Sequence, residues 1–239
     1  MDNGLTVVRA YLQFQEQCGI QYEEMVQKLR QLESAAQVVQ SDESPVEVAQ
    51  WLHKEGFERH ACRDLAELFA SRHSVRDFAQ KPVDRAVIET VVRMAQWSPS
   101  ACNRQSARVW VLTDRQRIQG ALAIQGGARG SADRVALLFV VTSDLACWQS
   151  AGERYQGWID GALFAMTLVW ALHSRGLVSC MLNWSKRKET DKELRRYLGI
   201  EDSELIVVLV AAGYPAERFR VCRSPRLPLE NILRYDQAR

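Results

Sequence analysis

Apolar side chains recur at two kinds of spacing along the chain, which separates helical segments from extended ones. Spacings of three and four residues predict helical structure within residues 1–40, on a stripe formed by Val8, Leu12, Met25, Val26, Leu29 and Leu32. The same spacing predicts helices over Val46–Lys54, Asp64–Ser71, Asp84–Gln96, Tyr155–Arg175 and the segments that follow Asp114 and Thr190. Continuous apolar or β-branched runs predict strands over Arg108–Thr113, Val135–Thr142, Leu177–Leu182 and Leu205–Ala212.

Capping residues mark where several of these helices begin and end. Ser44 with Glu47, and Thr190 with Glu193, have the spacing of a capping box, and Pro45 suits a first helical position. Three predicted helices are followed by a glycine at the place of a left-handed C-terminal cap, namely Gly126, Gly176 and Gly199. Strands that alternate with helices predict a layered α/β sheet rather than a helical bundle or a β-sandwich.

Composition narrows the possible partners and the compartment. The 239 residues include 31 basic and 29 acidic side chains, a balance that favours neither nucleic acid nor a membrane surface as a partner. The most apolar run, Gly161–Leu172, is shorter than the ~20 residues that span a bilayer. The six cysteines are scattered without metal-ligand spacing, so we expect no metal site and a reducing, cytoplasmic location.

Three polar segments are the candidates for chemistry. Arg72–Phe78, here the arginine segment, has two arginines and a serine that suit an anion, although a solvated helix end would look the same. Trp97–Gln105, here the polar loop, offers amides and hydroxyls to a polar heterocycle, or is an ordinary loop. Arg223–Glu230, here the C-terminal basic segment, is either a third contact or a solvated tail.

Together these segments resemble the FMN-dependent nitroreductase family over residues 64–235. RHSVRDF is similar to the opening of that family, and SPSACNRQ is similar to its next loop. The start of the long apolar helix at Ile159–Ala162 resembles the family's central dimer helix, and RGLVSC resembles the strand entry after it. GYP at 213–215 and RLPLE at 226–230 resemble the family's closing motifs. The loop departs from the family after Gln105, where Ser106 and Ala107 stand in place of the usual Pro-Trp.

The resemblance implies a three-layer α/β (α+β) sandwich in which helices flank a mixed central sheet. It implies a nitroreductase-like FMN-binding domain over residues 64–239, preceded by a helical extension over residues 1–63. It also implies a homodimer in which each flavin lies between two subunits. The residues implied to bind FMN are Arg72, His73, Ser74, Arg76, Pro99, Ser100, Asn103, Gln105, Leu182, Asn183, Arg223 and Arg226.

The function implied is reduction of a nitroaromatic, quinone or related acceptor, with NADH or NADPH as donor and hydride transfer through flavin N5. The flavin carries that chemistry, so we assign no catalytic side chain. Two alternatives stay open, a specialised flavin dehydrogenase or reductase in a biosynthetic pathway and a non-catalytic interaction protein with the same fold. Arginines are present at all the positions that the resemblance implies for binding the flavin phosphate, which argues against a non-catalytic interaction protein.

Overall fold

The computed structural model describes residues 12, 23–35, 49–56, 65–128 and 130–236. Its helices are α1 (Glu23–Ala35), α2 (Leu65–Ser71), α3 (Arg85–Ala95), α4 (Arg115–Gln125), α5 (Gln156–Ser174) and α6 (Lys188–Leu198). Its strands are β1 (Ala49–His53), β2 (Ala107–Leu112), β3 (Leu137–Asp144), β4 (Val178–Asn183), β5 (Glu204–Gly213) and β6 (Arg218–Cys222). The chain divides into two compact units, one of Trp51–Arg220 and a smaller one of Met1–Gln50 with Val221–Arg239.

A four-stranded sheet in the order β2-β3-β5-β4 forms the centre of the larger unit. All three of its strand pairings are antiparallel, and a parallel bridge joins Ser74 to Ser179 at the β4 edge. The mixed character that we predicted is therefore limited to this bridge among the described residues. A second sheet of two strands pairs β1 with β6.

Helices cover both faces of the four-stranded sheet. On one face, α3 and α5 pack on Leu137, Phe139 and Val141 of β3 in the main hydrophobic core. Side chains alternate along a strand, so Leu138 and Val140, which are also fully buried, point to the opposite face. There α4 packs against α6 and against β2. The predicted three-layer α+β sandwich is confirmed, because β3 is buried from both sides.

Several predicted boundaries are confirmed by cap geometry. The Asp114 carboxylate accepts a hydrogen bond from the Arg117 backbone N–H at the start of α4. Gly126 and Gly199 end α4 and α6 in the left-handed region, with φ of 74° and 79°. Gly176, two residues beyond α5, also has a positive φ of 74°.

Other sequence predictions are wrong. Residues 49–53 form strand β1 rather than part of a helix over Val46–Lys54, because pairing with β6 overrides the local pattern. The capping residues Ser44, Pro45 and Glu47 lie outside the described residues. Helix α6 begins at Lys188, ahead of the Thr190 box, since the Asp191 N–H already donates to the Arg187 carbonyl. Strand β6, after the strand that we predicted to be last, was missed.

Candidate functional site

The polar loop adopts a backbone conformation that ordinary residues avoid. Cys102, Asn103 and Gln105 have φ of 52°, 53° and 49°, and they are the only non-glycine residues with positive φ in the described part of the chain. Each such residue costs about 1–2 kcal/mol relative to the right-handed region. Clusters of this kind persist only where the surroundings hold them, and they concentrate at functional sites.

Asp160 on α5 holds the polar loop against the central helix. Its Oδ2 accepts a hydrogen bond from the Ala101 backbone N–H at 3.0 Å, and its Oδ1 accepts one from Gln156 Nε2 at 2.7 Å. The Asp160 side chain is buried, so both contacts are shielded from water. Within the loop, the Ser100 hydroxyl accepts a hydrogen bond from the Gln105 N–H at 3.0 Å and closes the turn.

Arg104 fastens the other end of the polar loop to the segment between β3 and α5. Its Nη1 lies 2.6 Å from Glu153 Oε1 and donates to the Cys147 carbonyl at 3.1 Å, and its guanidinium lies 5.3 Å from the Trp148 ring centroid. Glu153 also accepts hydrogen bonds from the Gln149 and Ser150 N–H groups. The Gln149 bond, with further contributions from Arg104 and Ser150, lowers the pKa of Glu153.

A cleft of about 290 Å³ opens beside the polar loop. Pro99, Ser100 and Gln105, three of the predicted flavin ligands, line it, whereas Asn103 does not. The complete lining consists of Gln96, Ser98, Pro99, Ser100, Gln105, Ser106, Ala107, Arg108, Asp160 and Phe164. Its volume is at the lower limit for small-molecule sites, which usually measure about 300–1,000 Å³. The cleft is therefore small for a cofactor site.

The arginine segment runs along the outer edge of β4. Val75 donates its N–H to the Ser179 carbonyl at 3.0 Å, and Val75 and Phe78 are buried. Ser74 and Arg76 alternate with Val75 and are exposed, so both present polar groups to solvent at this edge. Of the other predicted ligands, Arg72 and His73 are half-buried, and the Arg72 guanidinium lies 5.8 Å from the Trp170 ring centroid.

The end of β4 exposes one predicted ligand and buries another. The Leu182 side chain is buried, so only its backbone is suited to meet a cofactor. Asn183 is exposed, and its carbonyl accepts a hydrogen bond from Gln125 Nε2 at 3.0 Å. In the smaller unit, Arg223 and Arg226 are both exposed, and Arg226 Nη1 donates to the Ser224 carbonyl at 2.8 Å.

Within one chain the arginine segment and the polar loop lie at opposite corners of the sheet. The polar loop leads into β2 at Ala107, which pairs with Ser143 of β3, and Ser143 pairs in turn with Leu205 of β5. The arginine segment meets β4 at Ser179, which pairs with Ala212 of β5. These positions differ by three strand spacings of about 4.8 Å and seven residues of about 3.4 Å, which together separate them by about 25–30 Å. The two groups of predicted ligands therefore do not meet in a single subunit.

Helix α5 carries an apolar stripe that is exposed among the described residues of the chain. Trp158, Ile159, Leu163 and Met166 lie on one side of the helix and are 38–50% exposed. The opposite side, which includes Phe164 and Leu168, is buried on the sheet. The sequence prediction of a helix apolar nearly all round is confirmed, although only half of its surface is buried within one subunit.

The chain is similar in sequence to known nitroreductases. The model of the nitroreductase family matches residues 69–142, which include the whole arginine segment, the whole polar loop, strand β2 and most of strand β3. A 4-nitrobenzoate reductase from Pseudomonas putida is 27% identical over 216 residues, covering 70% of this chain and 92% of that protein. Over this part of its length the chain is similar to the nitroreductase family. These similarities support a flavin oxidoreductase, as the sequence resemblance implied.

Solved structures of nitroreductases share the same fold. A nitroreductase family protein from Streptococcus pneumoniae superposes with a TM-score of 0.64 at 19% identity, covering 72% of this chain and all of the other. An FMN-dependent nitroreductase from Clostridium difficile superposes with a TM-score of 0.59 at 15% identity, covering 72% of this chain and 98% of the other. At these identities the likeness concerns the fold.

Three residues that organise the site were not among the predicted ligands. Asp160, Arg104 and Glu153 hold the polar loop, and Asp160 also lines the cleft. The sequence contained a signal for Asp160, because it is the single charged residue in the otherwise apolar run Gly157–Leu172. Arg104 and Glu153 had none, because they are 49 residues apart in the chain.

Proposed function

We propose that this protein is an FMN-dependent oxidoreductase that takes hydride from NADH or NADPH and reduces a nitroaromatic, quinone or related acceptor through flavin N5. We further propose that it acts as a homodimer. The observation that best supports the homodimer is the distance of about 25–30 Å between the arginine segment and the polar loop within one chain. A second copy, packed through the exposed stripe of α5, would bring the polar loop of one subunit to the arginine segment of the other.

The residues present fit a flavin mononucleotide divided between two subunits. On the β4 edge, the exposed Ser74 and Arg76 offer a hydroxyl and a guanidinium, a donor set that suits phosphate and ribityl oxygens. The cleft offers the Ser100 hydroxyl and the Gln105 amide, which suit the imide edge of a heterocycle. Arg223 and Arg226 would add further cationic donors for the phosphate, while Asn103, His73 and Asn183 would supply neighbouring polar contacts.

The exposed α5 stripe supports the dimer on energetic grounds. Four large apolar side chains at 38–50% exposure form a contiguous face, which a monomer rarely leaves open to water. Apolar area contributes about 25 cal/mol per Å² when it is buried.

The state of the cysteines indicates the cellular compartment of the protein. Cys102, Cys147 and Cys222 are free thiols in the described part of the chain. Unpaired cysteines suit a reducing environment, and we propose a cytoplasmic location on that basis. As a separate finding, none of the described helices has the length and apolar character required to cross a membrane.

A complementation experiment tests the shared site directly. One variant carries Ser74→Ala and Arg76→Ala, and the other carries Asn103→Gly and Gln105→Gly, which keep the left-handed backbone while removing the amides. We expect each variant alone to fold without binding FMN. After subunit exchange, half of the dimers are mixed and one of their two sites has both natural halves, so about a quarter of all sites should regain flavin.

If both groups instead served one site in a single subunit, mixing would restore no flavin. Light scattering gives the independent check, because the 27.2 kDa chain should have twice its monomer mass in solution. Leu163→Lys should shift that mass to the monomer and release flavin. A monomeric natural protein that binds flavin stoichiometrically would contradict the proposal.

Absorption spectroscopy tests the reaction class. The purified protein should have the visible spectrum of oxidised flavin, and NADH or NADPH added without oxygen should bleach it. A flavin spectrum that neither donor bleaches would point to a dehydrogenase that reduces its flavin with substrate. Absence of flavin after incubation with FMN would contradict the proposed function.

A further inference from the structure

One cationic side chain, Arg108, lines the cleft beside the polar loop. Asp160 is the other ionisable side chain in the lining. Both oxygens of the buried Asp160 carboxylate already accept hydrogen bonds from the protein. Arg108 is 47% exposed, which leaves a guanidinium as the charged group that a ligand would meet.

Arg108 is held in place by the loop that it borders. Its Nη1 donates to the carbonyls of Gln105 and Ala107 at 2.8 and 3.0 Å. Its Nη2 lies 3.3 Å from Asp144 Oδ2, an exposed pair of the kind that contributes little to stability. A guanidinium has five N–H donors, so these contacts leave others for an anion. Because the side chain is already ordered, binding an anion would require little additional loss of rotamer freedom.

The remaining lining indicates the shape of the ligand. Pro99 and Phe164 provide apolar surface, and Ser98 provides a neutral hydrogen-bonding group in addition to Ser100 and Gln105, which the proposed flavin site uses. An aromatic acceptor beside the flavin would place its ring near this surface while a carboxylate on that ring pairs with Arg108. We propose that Arg108 is a specificity-determining residue that selects acceptors carrying a carboxylate or a comparable anionic group. This inference rests on the proposed flavin function of the same cleft.

Two nitroaromatic probes of equal shape distinguish an effect of ligand charge from an effect of steric fit. For 4-nitrobenzoate and the neutral 4-nitrobenzamide, we expect the natural protein to have a kcat/KM ratio of about ten or more in favour of the carboxylate. Arg108→Gln should bring this ratio close to one. Arg108→Lys keeps the charge but lacks the planar fork, so its ratio should be intermediate. Arg85→Gln, at an arginine that pairs with Glu89 on the surface of α3, is the matched control and should keep the natural ratio.

A binding measurement provides a readout without turnover. Titration of the flavin spectrum with benzoate should give a Kd about tenfold weaker in Arg108→Gln, while the Kd of benzamide should change little. An unchanged probe ratio and an unchanged benzoate Kd, in an enzyme that holds flavin and is bleached by NADH or NADPH, would overturn the role of Arg108 alone. Failure of the natural protein to hold flavin would overturn the proposed function and this inference with it.

Discussion

The Asp160 carboxylate on the central helix accepts a hydrogen bond from the Ala101 backbone N–H at 3.0 Å. This contact joins the loop that contains three non-glycine residues with positive φ to the central helix. Asp160→Ala would leave the Ala101 N–H and the Gln156 amide without their acceptors, so we expect a loss of about 2–3 kcal/mol in the free energy of unfolding. Flavin affinity should fall with it, as measured by denaturant unfolding and by flavin titration.

Asp160→Asn is the matched control for that prediction. Its remaining carbonyl oxygen would still accept the Ala101 N–H, so the loss should be less than half of that in Asp160→Ala. Equal losses in the two variants would mean that the charge of Asp160, rather than the hydrogen bond, holds the loop.

Acid should release the polar loop through Glu153. Hydrogen bonds from Gln149 and Ser150 and the Arg104 guanidinium lower the pKa of this carboxyl below its usual value of 4.5. A lowered pKa in the folded state means that the contribution is present above the usual value and is lost as pH falls through the lowered one. We therefore expect the fluorescence of Trp148, which neighbours Arg104, to change below pH 4.5.

Two variants assign that acid transition. Glu153→Gln cannot ionise, so it should remove the pH dependence, and Trp148→Phe should remove the signal. Glu89→Gln is the control, because Arg85 also lowers the pKa of Glu89 but that pair lies on the exposed face of α3. A transition that survives in Glu153→Gln would have to come from another group.

Substitutions at position 102 test the backbone strain in the polar loop. Cys102 is exposed and has φ of 52°, so its substitution changes backbone preference more than packing. Cys102→Val should destabilise the protein by about 1–2 kcal/mol, because a β-branched residue is a genuine outlier in the left-handed region. Cys102→Asn should be neutral or stabilising, since asparagine tolerates this region. Thermal unfolding of the two variants side by side checks the order.

Two glycines on helices should respond differently to the same added methyl group. A Cβ at Gly161 would lie 2.6 Å from Cγ2 of Val207, where α5 packs closely on β5. Val207 is stiff at χ1 and belongs to the sheet, so Gly161→Ala should cost about 1–3 kcal/mol through overpacking. Denaturant midpoints at constant m-value would measure this loss.

Gly120 on α4 is the contrasting position. There the added Cβ would meet the Tyr197 side chain, which is 40% exposed and can rotate away. Gly120→Ala should therefore stay within about 1 kcal/mol of the natural protein, because improved helix propensity offsets the lost tyrosine contact. A large loss at Gly120 with none at Gly161 would contradict the described packing of α5 on β5.

Local patterns predicted the elements of the larger unit well, and they failed where pairing is distant. Strands β2 to β5 and helices α3 to α5 were located within a few residues, because periodicity and capping act over one or two turns. The segment 49–53 was predicted as helix and forms a strand, since its partner β6 is more than 160 residues away. The pattern of neighbouring residues carries no information about a partner strand so far away in the chain.

By itself the sequence determined the layered α+β fold and the similarity to nitroreductases, since ordered short motifs and apolar periodicity are local properties of the chain. It also selected the arginine segment and the polar loop as candidates. Only the tertiary structure decided that these two groups lie at opposite corners of one sheet, and that Asp160 and the Arg104–Glu153 pair hold the loop in its left-handed conformation. The physical reason is that strand register and long-range hydrogen bonds set distances between residues that are far apart in the chain.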